Sequence, residues 1–193
     1  ERKMMDSVKT LAANTCQMLI VDFQEKFTPV IPNIDGLLNR TAFAVQVAKM
    51  LQIPITLSEQ NPAGLGKTVE SIRSLVPESA AISKMTFSCW QSDEIRTALI
   101  AQDRPTVILA GIETPICILQ TGLDLLNAGY KVYLLTDAVG ARKELDHRLA
   151  LDRLARARAV IGTTEMAAYE LVGRADTPIF KSLLKLMKET PAR

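Results

Sequence analysis

The chain has 193 residues, enough to bury a sizeable core in one domain, and 48% apolar with 23% charged residues is the composition of a globular protein, not a disordered one. Its 23 basic and 21 acidic side chains leave a net charge of +2, so no broad field draws it onto nucleic acid or an anionic membrane. No apolar run approaches the roughly 20 residues that span a bilayer, which excludes a membrane-spanning helix.

The first buried strand is the apolar run Cys16–Gln–Met–Leu–Ile–Val, which delivers Asp22 at its C-terminal edge. From Gly36 to Gln52 the apolar positions Leu37, Leu38, Ala42, Val45, Ala48 and Leu51 recur at helical spacing, and Pro54 opens a second strand over Ile55–Leu57. Glu59 to Lys67 reads EQNPAGLGK, a loop composition at the C-terminal end of that strand. A third strand over Ala80–Ser83 leads into Lys84, a capped helix starts at Ser92, and Thr106–Ala110 is the most strand-like run of the chain. A helix from about Pro115 to Ala128, a strand over Lys131–Leu135, a helix over Lys143–Arg158, a strand at Val160–Ile161 and helices over Glu165–Leu171 and after Pro178 complete the alternation. This pattern predicts an α/β fold: a three-layer α-β-α sandwich around a mostly parallel, Rossmann-like sheet of about six strands in the order 3-2-1-4-5-6. Residues 1–193 read as a single domain without repeats or an internal linker.

The cysteines, Cys16, Cys89 and Cys117, form no CxxC pair and suit a reducing compartment. The polar start, Glu1 to Thr15, lacks the apolar core of a secretory signal, and its opening ERKMM reads as a trimmed or tagged end. The expected location is intracellular, cytoplasmic ahead of mitochondrial or other organellar. His147 is the one histidine, which excludes a His-rich zinc site and leaves a Cys–His dyad only that partner.

Cys117 falls just past the strongest strand, on the first turn of the following helix. The dipole and free N–H groups at such an end lower a thiol's pKa and stabilise an oxyanion. A buried cysteine is as often only a space filler, and that is the reading for Cys16 and Cys89. Asp22 and Lys84, each at a strand end, project to the same sheet edge if the strands neighbour one another. The plain alternative for these two is a pair of solvated charges.

The segments VDFQEKF (21–27), KMTFSC (84–89) and GIETPICILQTGLDLLNAGYKVYLLTDAVGAR (111–142) resemble the isochorismatase-like cysteine hydrolases, over roughly Cys16 to Lys188. LSEQNPAGLG (57–66) makes the eukaryotic isochorismatase-domain-containing branch the nearest pattern. The resemblance implies Cys117 as nucleophile, with Asp22 and Lys84 completing a triad. It further implies a cis peptide joining Ile112 to Glu113, with the Glu113 and Cys117 N–H groups forming an oxyanion hole. By analogy of position, Gln24, Glu59, Gln60, Phe87 and Trp90 line a substrate pocket. Metal-binding relatives carry aspartate and histidines after the second strand, where this chain reads Ser58–Glu–Gln–Asn–Pro, so no metal and no cofactor is expected.

The expected function is metal-independent hydrolysis of a small amide or ester through a Cys117 thiolate and a thioester. Isochorismate-type vinyl ether cleavage, which the superfamily performs with another residue at that position, is disfavoured by the cysteine. The expected partners are a small-molecule substrate and further copies of the chain in a homo-oligomer. Neither a membrane nor nucleic acid is an expected partner. Two other readings stay open: a non-catalytic interaction protein on the same fold, and a nucleic-acid-binding or ribonuclease-type protein using the arginines of residues 142–158. Interleaved acids make that helix read as salt-bridged and either exposed or facing another subunit, with His147 toward solvent.

Overall fold

Apolar runs without polar alternation build strands buried on both faces, and the runs Cys16–Val21 and Thr106–Ile112 are buried along their whole length. The computed structural model describes residues 10–27, 29–77 and 80–190, so the reading made on ERKMM lies outside the described residues. Its strands are β1 (Cys16–Val21), β2 (Ile55–Gln60), β3 (Ala81–Lys84), β4 (Thr106–Ile112), β5 (Lys131–Gly140) and β6 (Val160–Gly162). They form one six-stranded sheet in the order β3-β2-β1-β4-β5-β6, and every neighbouring pair is parallel. The winding reverses between β1 and β4, which opens a crevice at the C-terminal strand ends.

Side chains alternate between the two faces. Met18, Ile20, Ile108, Ala110, Ile112 and Leu135 pack with Val45 and Ala48 of α1 (Ile34–Met50) and Ala167 of α7 (Thr164–Val172). Leu19, Val21, Val107, Leu109, Val132 and Leu134 pack instead with α4 (Asp93–Ala101), α5 (Leu119–Asn127) and α6 (Glu144–Arg156). Each valine, leucine, isoleucine or methionine among them contributes roughly 1.5–3 kcal/mol by leaving water. The last helix, α8 (Pro178–Glu189), sets Leu183 and Leu186 against Phe43, Val47 and Ala168, outside α1 and α7. Among the described residues no helix is long and apolar enough to cross a membrane.

Three boundaries differ from the sequence expectation. β2 continues through Glu59 and Gln60, because Glu59 pairs with Ser83 and Gln60 with Lys84 in the β3 ladder; two one-turn helices, α2 (Pro62–Leu65) and α3 (Glu70–Arg73), follow. β5 runs past Leu135 to Gly140, since a register shift in β4 after Leu109 lets Gly111 and Ile112 pair with Val139 and Gly140. The turn-forming Asp137 inside it caps α7, its carboxylate accepting from the Thr164 N–H and hydroxyl at 2.8 and 2.7 Å. Finally, the helix after β4 begins as a π-turn over Thr114–Ile118 before α5.

Candidate active site

Asp22 follows the last residue of β1 in the left-handed region, φ 55°, which aspartate tolerates better than most residues. Its N–H donates to the Ser58 carbonyl on β2 at 3.1 Å, and its own carbonyl accepts from the Gln24 N–H at 2.7 Å. Both carboxylate oxygens are engaged: Oδ1 accepts from the Ser58 hydroxyl at 2.7 Å and Oδ2 from Lys84 Nζ at 2.8 Å. Asp22 is 1% exposed and Lys84 3%.

Lys84 ends β3 in register with Gln60. Its ammonium has three hydrogens and lies near more acceptors than that. Besides Asp22 these are Gln60 Oε1 at 2.7 Å, the Thr86 and Phe87 carbonyls at 3.2 Å each, and Cys117 Sγ at 3.7 Å. Burial alone would lower its pKa, but the charge of Asp22 opposes that and the net shift is upward, so it stays an ammonium.

β4 brings the third group. Gly111, at φ 131°, lies so close to β1 that a Cβ there would meet the Val21 carbonyl oxygen at 2.2 Å. The next peptide bond, Ile112–Glu113, is cis. Glu113 is buried and its carboxylate is held by the Arg142 Nε at 2.9 Å and the Arg142 backbone N–H at 3.0 Å. Cys117 then sits inside the π-turn, 6% exposed, with its Sγ 3.7 Å from Lys84 Nζ.

The electrostatic expectation for this sulfur fails. Burial pushes the Cys117 thiol up, Asp22 pushes it further, and Lys84 offsets only part. The cause is position: Cys117 is enclosed beside a carboxylate within a π-turn, not presented at an open helix end. At neutral pH the resting sulfur is a thiol.

The structure therefore brings Asp22, Lys84 and Cys117 together, while the expected pocket residues go several ways. Gln24 is buried and bridges loops, its Nε2 donating to the Gln60 and Gly66 carbonyls and its Oε1 accepting from the Gln60 N–H. Glu59 accepts from the Thr68 N–H and hydroxyl at 2.7 and 2.8 Å. Gln60 holds Lys84, and Trp90 packs edge-on against Tyr130 with ring centroids 5.4 Å apart. Phe87 is 55% exposed and, with Met85, forms an apolar rim beside Lys84. A hollow of about 440 Å³ next to it is bordered by Lys84, Thr86, Gln91 and Glu94.

Other partners escaped the sequence reading. Ser58 is one; Cys89 is another, its fully buried thiol donating to Ser58 Oγ at 3.4 Å and raised by burial from 9.0 to about 11. His147 is half-buried rather than solvent-facing, with Nδ1 2.9 Å from Thr114 Oγ1, and burial lowers its pKa. A period of two along β2 would have placed Ser58 on the same face as Gln60. Nothing in the local sequence marks the His147–Thr114 contact. The arginines of α6 are exposed, and two of them are paired within the helix, Arg156 with Asp152 at 2.8 Å and Arg148 with Glu144 at 3.9 Å. Among the described residues no cluster of His, Cys, Asp and Glu is arranged to hold a metal ion.

Comparison with known proteins places this geometry. The isochorismatase domain family model matches residues 16–166. Isochorismatase domain-containing protein 2 of Bos taurus is 37% identical over 174 residues, 89% of this chain and 82% of the relative. A solved structure from Caenorhabditis elegans, described as MAR1 ribonuclease, is 32% identical with a TM-score of 0.87 and 94% of each chain covered. The YcaC gene product of Escherichia coli, described as an octameric hydrolase of unknown specificity, shares the fold at 24% identity, with a TM-score of 0.91 over 96% of this chain and 93% of that one. The chain belongs to the isochorismatase family, in the branch of the eukaryotic isochorismatase domain-containing proteins, and has a hydrolase's fold.

Proposed function

We propose that this protein hydrolyses a small amide or ester with Cys117 as nucleophile, Asp22 as proton acceptor and donor, and Lys84 as electrostatic partner. The observation that carries the reading is one buried ammonium 2.8 Å from a carboxylate and 3.7 Å from a thiol. Because the thiol's pKa is raised, no thiolate waits at rest; Asp22 takes the proton as sulfur attacks the carbonyl carbon. The carbonyl electrons move onto oxygen, which the Glu113 and Cys117 N–H groups hold. Collapse expels the amine or alcohol with the proton from Asp22, leaving a thioester. Water then attacks the thioester, giving its proton to Asp22; sulfur leaves and is reprotonated. Lys84 stays charged throughout and keeps the carboxylate and the transient sulfur anion in one place. No step draws on a metal or other cofactor.

A screen of small amides and esters with mass spectrometry of the intact chain tests this: the expected result is an acyl adduct on Cys117. Turnover that survives Cys117→Ala rejects it.

Residues 1–193 act, in this reading, as a single domain inside the cell, where three unpaired, buried cysteines suit a reducing compartment. We also propose a homo-oligomer: Leu145, Leu149, Val160 and Met166 are each about half exposed, and the fold's E. coli representative is described as octameric. A second reading, RNA cleavage, is favoured by the name of the C. elegans relative. Release of fragments from single-stranded RNA, abolished by Arg148→Ala and Arg153→Ala but untouched by Cys117→Ala, supports that reading instead.

A further inference from the structure

We infer that Ser58 is a positioning residue for Asp22, setting the carboxylate that receives the Cys117 proton without itself touching the reacting atoms. The inference rests on the hydrolytic reading above and assigns β2 a part in it. Ser58 grips Asp22 at two points, through its carbonyl on the Asp22 N–H at 3.1 Å and through its hydroxyl on Oδ1 at 2.7 Å. One contact holds the backbone of a residue at φ 55°, and the other fixes the plane of its carboxylate.

A carboxylate has two oxygens, and here each has a different fixed donor: Ser58 on Oδ1 and Lys84 on Oδ2. Rotation about the last side-chain bond would break both contacts at once. A hydroxyl has only one hydrogen, so its direction matters. The Cys89 thiol, 3.4 Å away, donates to Ser58 Oγ and occupies the acceptor side, which turns the Ser58 hydrogen toward Asp22. Ser58 is 1% exposed and Cys89 fully buried, so water is not a ready substitute for either donor. Two residues along the same strand, Gln60 does for Lys84 what Ser58 does for Asp22, accepting from Nζ at 2.7 Å. Alternate positions of β2 thus hold both charged members from one side.

The test is the rate at which iodoacetamide alkylates Cys117, followed by peptide mass spectrometry from pH 5 to 10 in wild type, Ser58→Ala and Ser58→Thr, alongside each variant's melting temperature. In this reaction sulfur displaces iodide and its proton leaves to Asp22. Removing the hydroxyl slows alkylation at neutral pH by about 10-fold to 100-fold, the scale of one lost hydrogen bond to a charged group. It also displaces the rising limb of the pH–rate profile upward, and Ser58→Thr, which keeps the hydroxyl, restores both. Ser58→Ala alkylating as fast as wild type overturns the inference. So does Ser58→Thr as slow as Ser58→Ala at equal melting temperatures, since the loss then follows packing. Wild-type Cys117 that is never alkylated overturns the nucleophile reading itself, and this inference with it.

Discussion

Lys84 Nζ lies 2.8 Å from Asp22 Oδ2, with the two side chains 0% and 1% exposed. An ion pair sealed from water in this way costs much in desolvation, and its members hold one another in place. Lys84→Met leaves a buried carboxylate without its charge partner and destabilises the fold by about 3–5 kcal/mol. Asp22→Asn added to it recovers part of that stability but no turnover. Urea denaturation of the single and double variants measures the coupling; purely additive losses would show that the pair is not coupled.

Cys117→Ala removes the adduct and the turnover together, while costing little stability because the site keeps its charge pair. Intact mass after exposure to an activated ester, with denaturation midpoints as the fold control, checks both halves.

Gly111→Ala drives a Cβ into the Val21 backbone, where nothing flexible can yield, at φ 131°. The expected loss is several kcal/mol, about 3 or more, or failure to fold. Gly129, at φ 91° with no atom within 4 Å of the place a methyl would occupy, is the control: alanine there costs only about 1–2 kcal/mol from the backbone conformation. Equal losses at both positions would show that the close approach of β4 to β1 is unimportant.

The Cys89 thiol is raised from 9.0 to about 11 by burial. Below pH 9 both folded and unfolded chains keep it protonated; above that, the unfolded chain ionises first and gains on the folded one. Its contribution is therefore lost as pH rises through the folded value, by about 3 kcal/mol in all. Comparing denaturation at pH 8 and pH 11 in wild type and Cys89→Ala isolates it: the variant loses less stability over that interval.

His147 behaves in the opposite sense on the acid side. Its pKa is lowered by burial, so as pH falls below 6.5 the unfolded chain takes up the proton first and stability drops toward the folded value. His147→Gln flattens that part of the stability profile, and an unchanged slope would place the ring in solvent.

How much of this was legible beforehand follows from how local each signal is. Apolar period and punctuation are properties of neighbouring residues, so the six strands, the major helices and the 3-2-1-4-5-6 order could be read from the chain, as could the family, through VDFQEKF, KMTFSC and GIETPIC. The positions Asp22 and Lys84 at strand ends and Cys117 at the start of the following helix could be singled out too, though only the family resemblance joined them into one set. Tertiary structure decided what those groups experience. Whether a thiol's pKa falls or rises depends on the enclosure around it and on a carboxylate from another strand, and neither is written near Cys117. It also decided that Gln60 serves Lys84 and Glu59 serves Thr68, because a polar side chain's role is set by which donors and acceptors the packed sheet places within about 3 Å of it. Burial of a charge or a proton is a property of the whole fold, and only the assembled sheet edge carries it.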